Sequence, residues 1–322
     1  MNFILRALAV AGTCVAAGYA SLAGSQPYPA KPVRAVVAFA AGGFADTIAR
    51  LVGQKLSERL GQPVVVENRG GAGGNIAARA VAASAPDGYT LLVHTAAIAI
   101  NPSLYRNPGF DLMNDLVPVA NTGSTPGVFV VHSANPANTL QDLVKSGKRI
   151  TFSTAGIGTS SHLAGEYFFK VLARVEAEHV PFQGGAPALT ALLSNNVDVL
   201  STSMPPAVPH VKKGTLKVLG ISSLSRVAAL PDVPTMKEAG FGDFEERSWV
   251  GFFAPAKTPS EAVNRLNREI NQIVALPAIR ERFSSLGMDP HPGSAAEFAA
   301  YVSKEVVKWA TIVKATGIAQ VE

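Results

Sequence analysis

The stretch AFAAGGFADTIAR, residues Ala38–Arg50, decides the fold prediction. It follows the apolar run Val33–Val37 and leads into apolar residues at helical spacing, which predicts a strand, a glycine turn and a helix start. The first N–H groups of a helix lack intrahelical partners and lie at the positive end of its dipole, so such a turn favours an anion. It has neither the lysine of a phosphate-binding loop nor the G-x-G-x-x-G spacing of a dinucleotide site.

The same order of elements recurs later in the chain. Gly42 and Gly70 are 28 residues apart, as are Gly156 and Gly184, and the two pairs are offset by 114 residues. The predicted strands are Val33–Phe39, Val64–Glu67, Tyr89–Val93, Ile150–Ser153, Ala177–Val180 and Val197–Leu200, and the predicted helices are Ala45–Leu60, Ile76–Ser84, Leu163–Leu172 and Ala186–Leu193. Alternating strands and helices predict parallel sheets flanked by helices, here as two similar units that face one another.

The remaining segments predict how the two units are joined. The stretches Val117–Val131 and Glu246–Ala254 are expected to cross between them, and three helices follow, two of which begin with capping boxes at Thr258 and Ser294. Residues 24–122 and 247–322 would form one discontinuous domain, with residues 123–246 inserted as the second. The predicted fold is therefore α/β with two lobes, each a mostly parallel sheet flanked by helices, and a hinge of two crossing strands.

The N-terminus has the pattern of a cleavable signal peptide over residues 1–23. One positive charge precedes a short apolar segment, and cleavage is expected after Ala20 or Ala23. Cys14, the one cysteine of the chain, would be lost with this peptide, so the mature protein could form no disulfide. The protein is expected to be exported.

The sequence shows little that would support catalysis. Of 322 residues 48% are apolar and 16% charged, and the net charge of +5 is spread without a basic run, which argues against nucleic acid as a partner. The six histidines form no H-x-x-x-H motif and the G-x-S-x-G elbow is absent, so we expect no metal, no cofactor and no catalytic residue.

Several polar residues in the glycine turns have two possible roles. Asp46 either caps its own helix or contacts a ligand, and the capping role is favoured. His162 is either a structural histidine or a ligand contact. Thr154, Thr159, Ser160 and Ser161 are helix caps, hydroxyl donors to an anion, or both.

Five stretches of the sequence are KPVRAVVAFAAGGFADTIAR, VVVENRGGAGGNIAARAVAASAPDGYTLL, STAGIGTSSHLAGEYF, VPFQGGAPALTALL and LPDVPTMKEAGF, which begin at Lys31, Val64, Ser153, Val180 and Leu230. Together they resemble the substrate-binding proteins of tripartite tricarboxylate transporters, the Bug family. The resemblance covers essentially the whole mature chain.

The resemblance implies a periplasmic, two-lobed binding protein of type II that closes on a small carboxylate. Its partners would be a small organic acid and a membrane permease or sensor kinase, and the protein is expected to be a monomer. The residues that the resemblance places at the ligand are Phe39, Ala40, Ala41, Gly42, Gly43, Phe44, Asp46, Thr95, Ala96, Thr154, Gly158, Thr159, Ser160, His162, Phe182, Gln183 and Gly184, and Thr202 is predicted to join them.

One departure from the family pattern concerns the ligand. Many members have an acidic residue after the strand Val197–Leu200, where this chain has Ser201–Ser203. Because that acid would pair with a ligand ammonium group, we expect a carboxylate without a charged amine, with Phe44 as one wall of its site. The alternative is an exported α/β enzyme such as a dinucleotide-dependent oxidoreductase, for which Glu67 at the end of the second strand would contact the ribose.

Overall fold

The computed structural model describes residues 28–322, so the predicted signal peptide, Cys14 and both cleavage sites lie outside the described residues. In that range no helix combines the length and the apolar composition needed to cross a membrane. The strands are β1 Val33–Val37, β2 Val64–Asn68, β3 Thr90–Thr95, β4 Leu116–His132, β5 Ile150–Thr154, β6 Ala177–Pro181, β7 Val199–Ser203, β8 Leu216–Ile221, β9 Arg247–Pro255 and β10 Asp289–Pro290.

The helices lie between these strands and after β9. They are α1 Phe44–Leu60, α2 Asn75–Ala82, α3 Ala97–Leu104, α4 Leu112–Asp115, α5 Leu140–Val144, α6 Ser160–Glu166, α7 Gly185–Leu193, α8 Met204–Lys212, α9 Ser260–Val274, α10 Pro277–Ser285 and α11 Ala295–Thr316. A short 3₁₀ turn precedes α2 at Ala72–Gly74, and α6 continues as a π-helical segment over Tyr167–Ala173.

The two predicted units have the same topology. In the first, β1 lies between β2 and β3, and both pairs are parallel, with Val33 opposite Val64. In the second, β5 lies between β6 and β7 in the same sense, with Ile150 opposite Ala177. Each unit brings the carboxyl ends of its parallel strands, and the glycine turns that follow them, to one edge of its sheet. The predicted repeat is confirmed.

Two long antiparallel strands join the units. The first part of β4 pairs with β9 as far as Pro126, opposite Arg247, and from Gly127 onward β4 pairs with β7, followed closely by β8. The predicted crossing strands are therefore confirmed, as is the two-lobed α/β fold. The exact domain ranges stay a prediction.

The apolar core follows this division. One cluster forms around β1, β3 and β9 and includes Ile48, Phe252 and Trp309. In the second unit successive residues of β4 alternate between two clusters, with Val128 on one face of the sheet and Phe129 on the other. This alternation is the period-two pattern of a strand buried on both faces.

Two sequence-based details are wrong. The box predicted at Thr258 does not form, because α9 begins only after Pro259 and the Thr258 hydroxyl donates to the Pro255 carbonyl at 2.7 Å. The helix predicted to start at Leu163 begins at Ser160, because the Thr159 side chain caps it. The box at Ser294 is confirmed, since its hydroxyl accepts from the N–H of the third helical residue and that residue's carboxylate bonds back.

Candidate functional site

A small cavity of about 40 Å³ lies between the two units, at the edge where the glycine turns meet. Such a volume holds only a few water molecules. Seven of its lining residues carry hydroxyl groups and none carries a charge. The lining consists of Phe39, Phe44, Ala45, Thr95, Ala155, Thr159, Ser160, Ser161, Gly185, Thr202, Ser203 and Ser248.

Four helices begin at this central cavity. Phe44, Ser160 and Gly185 are the first residues of α1, α6 and α7, and Ser203 is the N-cap residue of α8. The caps of α1 and α7 provide no side-chain hydrogen bond, so N–H groups of their first turns keep no side-chain partner, whereas Pro205 and Pro206 remove two of the N–H groups at the start of α8. The positive ends of four helix dipoles therefore converge on one uncharged cavity.

Some hydroxyl groups of the cavity lining have hydrogen-bond partners within the protein and others have none among the described residues. Thr159 Oγ1 donates to the Gly156 carbonyl at 2.7 Å and accepts from the His162 N–H at 3.2 Å, so it serves its own turn. By contrast, no residue within 28–322 hydrogen-bonds to the side chains of Thr202, Ser203 or Ser248. These three hydroxyls are available to a ligand or to water.

The Asp46 carboxylate is hydrogen-bonded to residues in and around its own glycine turn. Its carboxylate accepts from the N–H of Gly42 at 2.9 Å, from Asn68 Nδ2 at 2.9 Å and from Arg50 Nε at 3.0 Å. Burial alone would raise the pKa of Asp46, but these hydrogen bonds outweigh burial and hold the pKa below its usual value. The carboxylate does not line the central cavity, so the geometry fits the capping role better than a ligand contact.

His162 belongs to a buried group behind the second glycine turn. Its ring stacks on that of His179, with centroids 4.3 Å apart, and Glu166 lies one helical turn further on. Burial, together with the neighbouring histidine and Lys170, lowers the pKa of His162 to about 3, and burial with Lys170 lowers that of His179 to about 4. Both rings are therefore neutral at physiological pH.

This group is the arrangement within residues 28–322 that comes nearest to a metal site. Its geometry does not suit one. Metal lies in the plane of a coordinating imidazole, whereas these rings stack face to face with 27° between their planes. Thr154 Oγ1 is 2.7 Å from His179 Nε2, and the ammonium of Lys170 contacts Glu166. The arrangement is that of a hydrogen-bonded support beneath α6.

The two units also touch beside the cavity. Ala40 N–H donates to the Gln183 carbonyl at 3.2 Å, and Tyr105 Oη donates to the Ile157 carbonyl at 3.2 Å. Gly184, at a φ of +137°, lies so close to Ala40 that an added Cβ would be 3.0 Å from its backbone nitrogen. The cleft is therefore closed in this structure.

The structure brings only part of the predicted set to the central cavity. Phe39, Phe44, Thr95, Thr159, Ser160 and Thr202 line it. Phe182 and Gln183, again with Phe39, line a second space of about 310 Å³ beside the closing contacts. The others are placed around these two spaces, in the turns or in the core: Ala40, Ala41, Gly42, Gly43, Asp46, Ala96, Thr154, Gly158, His162 and Gly184.

Five lining residues were not predicted, and a sixth, Ser161, was predicted as a helix cap or a hydroxyl donor. Ala45, Gly185 and Ser203 are each adjacent to a predicted residue in the sequence, and Ala155 follows Thr154, so widening each motif by one residue would have found these four. Ser248 comes from β9, and nothing in the sequence around it indicates that it faces the glycine turns.

Two lobes that meet over a cavity and are joined by crossing strands form the architecture of a two-lobed solute-binding protein. The chain belongs to the tripartite tricarboxylate transporter family receptors, whose family model matches residues 48–318. It is a member of the TctC/Bug group of periplasmic solute-binding proteins.

Three solved structures show the same fold. The periplasmic binding protein BugD is 35% identical with a TM-score of 0.87, over 91% of this chain and 99% of that one. An R. palustris protein with adipate is 32% identical with a TM-score of 0.87, over 91% and 99%. MatC from Rhodopseudomonas palustris with bound malate is 32% identical with a TM-score of 0.84, over 89% and 100%.

Proposed function

We propose that this protein is a periplasmic receptor that captures a small organic carboxylate without a charged amine. The acid would bind in the central cavity through backbone N–H groups, hydroxyls and ordered water, and pass to the permease of a tripartite tricarboxylate-type transporter or to a sensor. One lobe would comprise residues 24–122 and 247–322, and the other residues 123–246. The observation that carries the proposal is the convergence of four helix N-termini on a cavity without charged side chains.

The available donors are sufficient for a useful affinity. A hydrogen bond to a charged group contributes about 1.5–3 kcal/mol, and micromolar binding requires about 8 kcal/mol. Four or five such bonds, from the first turns of the helices and from hydroxyls such as Thr202 and Ser248, would reach that value after ordering costs. The same helix ends repel an ammonium group, which disfavours amino acids as ligands.

The apolar part of the cavity suits the carbon skeleton of an organic acid. Phe39 and Phe44 supply apolar walls, which suit a carbon chain or ring between or beside carboxylate groups. The adipate and malate found with two structural neighbours are dicarboxylates, and they make dicarboxylates the first class to test. Because the closed cavity has room for only a few water molecules, binding of either acid would require the lobes to separate about β4 and β9.

The family and the structural relatives of the chain do not support the alternative of an exported dinucleotide-dependent oxidoreductase. The matched family consists of receptors, and the neighbours described above are binding proteins. Glu67 pairs with Arg34 at 3.1 Å on the β1–β2 surface and lines neither of the two spaces between the lobes.

A thermal-shift screen of the mature chain tests the proposal. Malate, adipate, succinate and benzoate are compared with aspartate and glutamate, and a ligand at a hundred times its dissociation constant stabilises by about 2.7 kcal/mol. A shift with the simple acids and little with the amino acids is expected. Tight binding of aspartate or glutamate alone, or no shift with any acid together with turnover of a nicotinamide substrate, would overturn the proposal.

A pair of variants then locates the site. Thr202→Val removes one free hydroxyl of the cavity while keeping the side-chain shape, and should weaken binding of the responding acid by roughly 10-fold or more. Thr190→Val makes the same change on the exposed surface of α7 and should leave the affinity unchanged. Equal affinities for the two variants would place the ligand elsewhere.

A further inference from the structure

A buried carboxyl group lies directly behind the cavity wall. Glu246 precedes β9 and is 2% exposed, although it does not line the cavity itself. Its Oε2 is 3.4 Å from Ser222 Oγ, and its Oε1 has no hydrogen-bond partner. Ser160, which does line the cavity, lowers the pKa of this carboxyl more than any other neighbouring group does.

The surroundings of this carboxyl are built to admit it. A Cβ at Gly127 would overlap the Glu246 carboxyl and would lie 2.9 Å from Ser222 Oγ, so only glycine leaves the space. Ser222 has a single hydroxyl proton, and its oxygen is nearer to the Glu246 backbone carbonyl, at 2.9 Å, than to the carboxyl. A carboxylate anion here would therefore be buried with few donors, which is costly.

The charged groups that face Glu246 do not neutralise it. They come from α11, which contributes Lys308 and Glu305, whereas α6, β4 and the end of β8 contribute only Ser160, Gly127 and Ser222. Lys308 is 2.8 Å from Glu305 and is partly exposed, so its charge is already paired. Burial raises the pKa of Glu246 to about 7, against the smaller opposing effects of Ser160, Lys308 and Ser222.

We propose that Glu246 is a positioning residue that couples carboxylate capture to the uptake of one proton. This inference rests on the proposed function. When Glu246 is ionised, the Ser160 O–H donates to it and Ser160 presents only lone pairs to the cavity. When Glu246 is protonated, its O–H donates to Ser160 Oγ, and the Ser160 proton is free to bond to the ligand carboxylate.

The charge of the ligand also favours protonation of Glu246 on binding. An anionic ligand in the cavity lies one hydroxyl away from Glu246, and two like charges at that separation raise the pKa of the titrating group. The proton comes from solvent, and it is released again when the acid leaves. Binding of an anion at the cavity is thereby accompanied by little change in the buried charge.

Isothermal titration calorimetry with malate or adipate, whichever binds, measures the linkage. Titrations at about pH 8 in buffers of different ionisation enthalpy should show uptake approaching one proton per ligand, and affinity should fall toward 10-fold per pH unit above the pKa of the free protein. In Glu246→Gln the uptake should vanish and the affinity should become independent of pH. Glu166→Gln, also buried behind the second turn but in contact with Lys170, should retain the uptake.

The outcomes separate the two proposals. Ligand binding with no buffer-dependent enthalpy in the wild type, or uptake that persists in Glu246→Gln, refutes the role of Glu246 alone. No binding of any acid at any pH refutes the proposed function and this role together. If Glu246→Gln does not fold, Ser160→Ala gives the same test, because loss of the linking hydroxyl should flatten the pH dependence of affinity, and an unchanged dependence refutes the role.

Discussion

Replacing Glu246 with glutamine should stabilise the ligand-free protein at neutral pH and not in acid. Burial raises the pKa of this group from the usual 4.5 to about 7, so the folded protein holds the proton to a higher pH than the unfolded chain does. The stabilisation that this provides is complete below about pH 4.5 and is lost as the pH rises through 7. At 1.36 kcal/mol per unit, the difference amounts to about 3 kcal/mol.

Melting curves from pH 4 to pH 8 measure this effect. For a chain of about 300 residues, an unfolding entropy of about 2.1 cal/mol/K per residue converts 3 kcal/mol into about 5 °C. Near pH 4 the Glu246→Gln variant should have the same melting temperature as the wild type. At pH 8 its melting temperature should be about 5 °C higher.

Glu269→Gln is the control of opposite sign. Glu269 is also buried, but Arg59 lies 2.7 Å and Arg265 3.3 Å from its carboxylate, so losing its charge should lower the melting temperature at pH 8. If Glu246→Gln melts below the wild type at pH 8, as this control should, the Glu246 carboxylate is favourably charged and the reasoning fails.

Three further predictions concern the cleft and its support. Gly184→Ala should hold the lobes apart and weaken malate or adipate binding by about 10-fold, whereas Gly214→Ala, with the same unfavourable sign of φ but open space around it, should leave the affinity alone. Tyr105→Phe removes one hydrogen bond that closes the cleft, worth about 1 kcal/mol, and should raise the dissociation rate about fivefold in stopped-flow measurements. The imidazole NMR signals of His162 and His179 should not titrate between pH 8 and pH 5, and movement of either through that range would contradict their burial as neutral rings.

The sequence contains enough local information to predict the repeated units. The helix expected from Ala45 begins at Phe44 and ends at Leu60, and Gly61 after it has the left-handed conformation expected of a closing glycine. Strand, glycine turn and helix follow one another within about 30 residues, so short-range patterns suffice to recognise them. The crossing strands were predictable because the units must be joined twice.

Other features depend on contacts that are distant in the chain. Ser248 and Glu246 approach Ser160 only because β9 runs beside β4, and no local pattern reports that pairing. Helix α8 was not predicted, and it contains three prolines, Pro205, Pro206 and Pro209. Pro205 and Pro206 fall in its first turn, where the missing N–H groups have no helical partner to lose.

The convergence of helix ends at the cavity also bears on how such receptors change specificity. In the proposed mode of binding, backbone N–H groups, which every residue except proline carries, recognise the negative charge, and no single side chain supplies this recognition. Substitutions at a wall residue such as Phe44 can therefore change the space for the carbon skeleton without removing the hydrogen bonds to the carboxylate. A receptor built in this way can exchange one organic acid for another by a few side-chain changes, without first losing the ability to bind an acid.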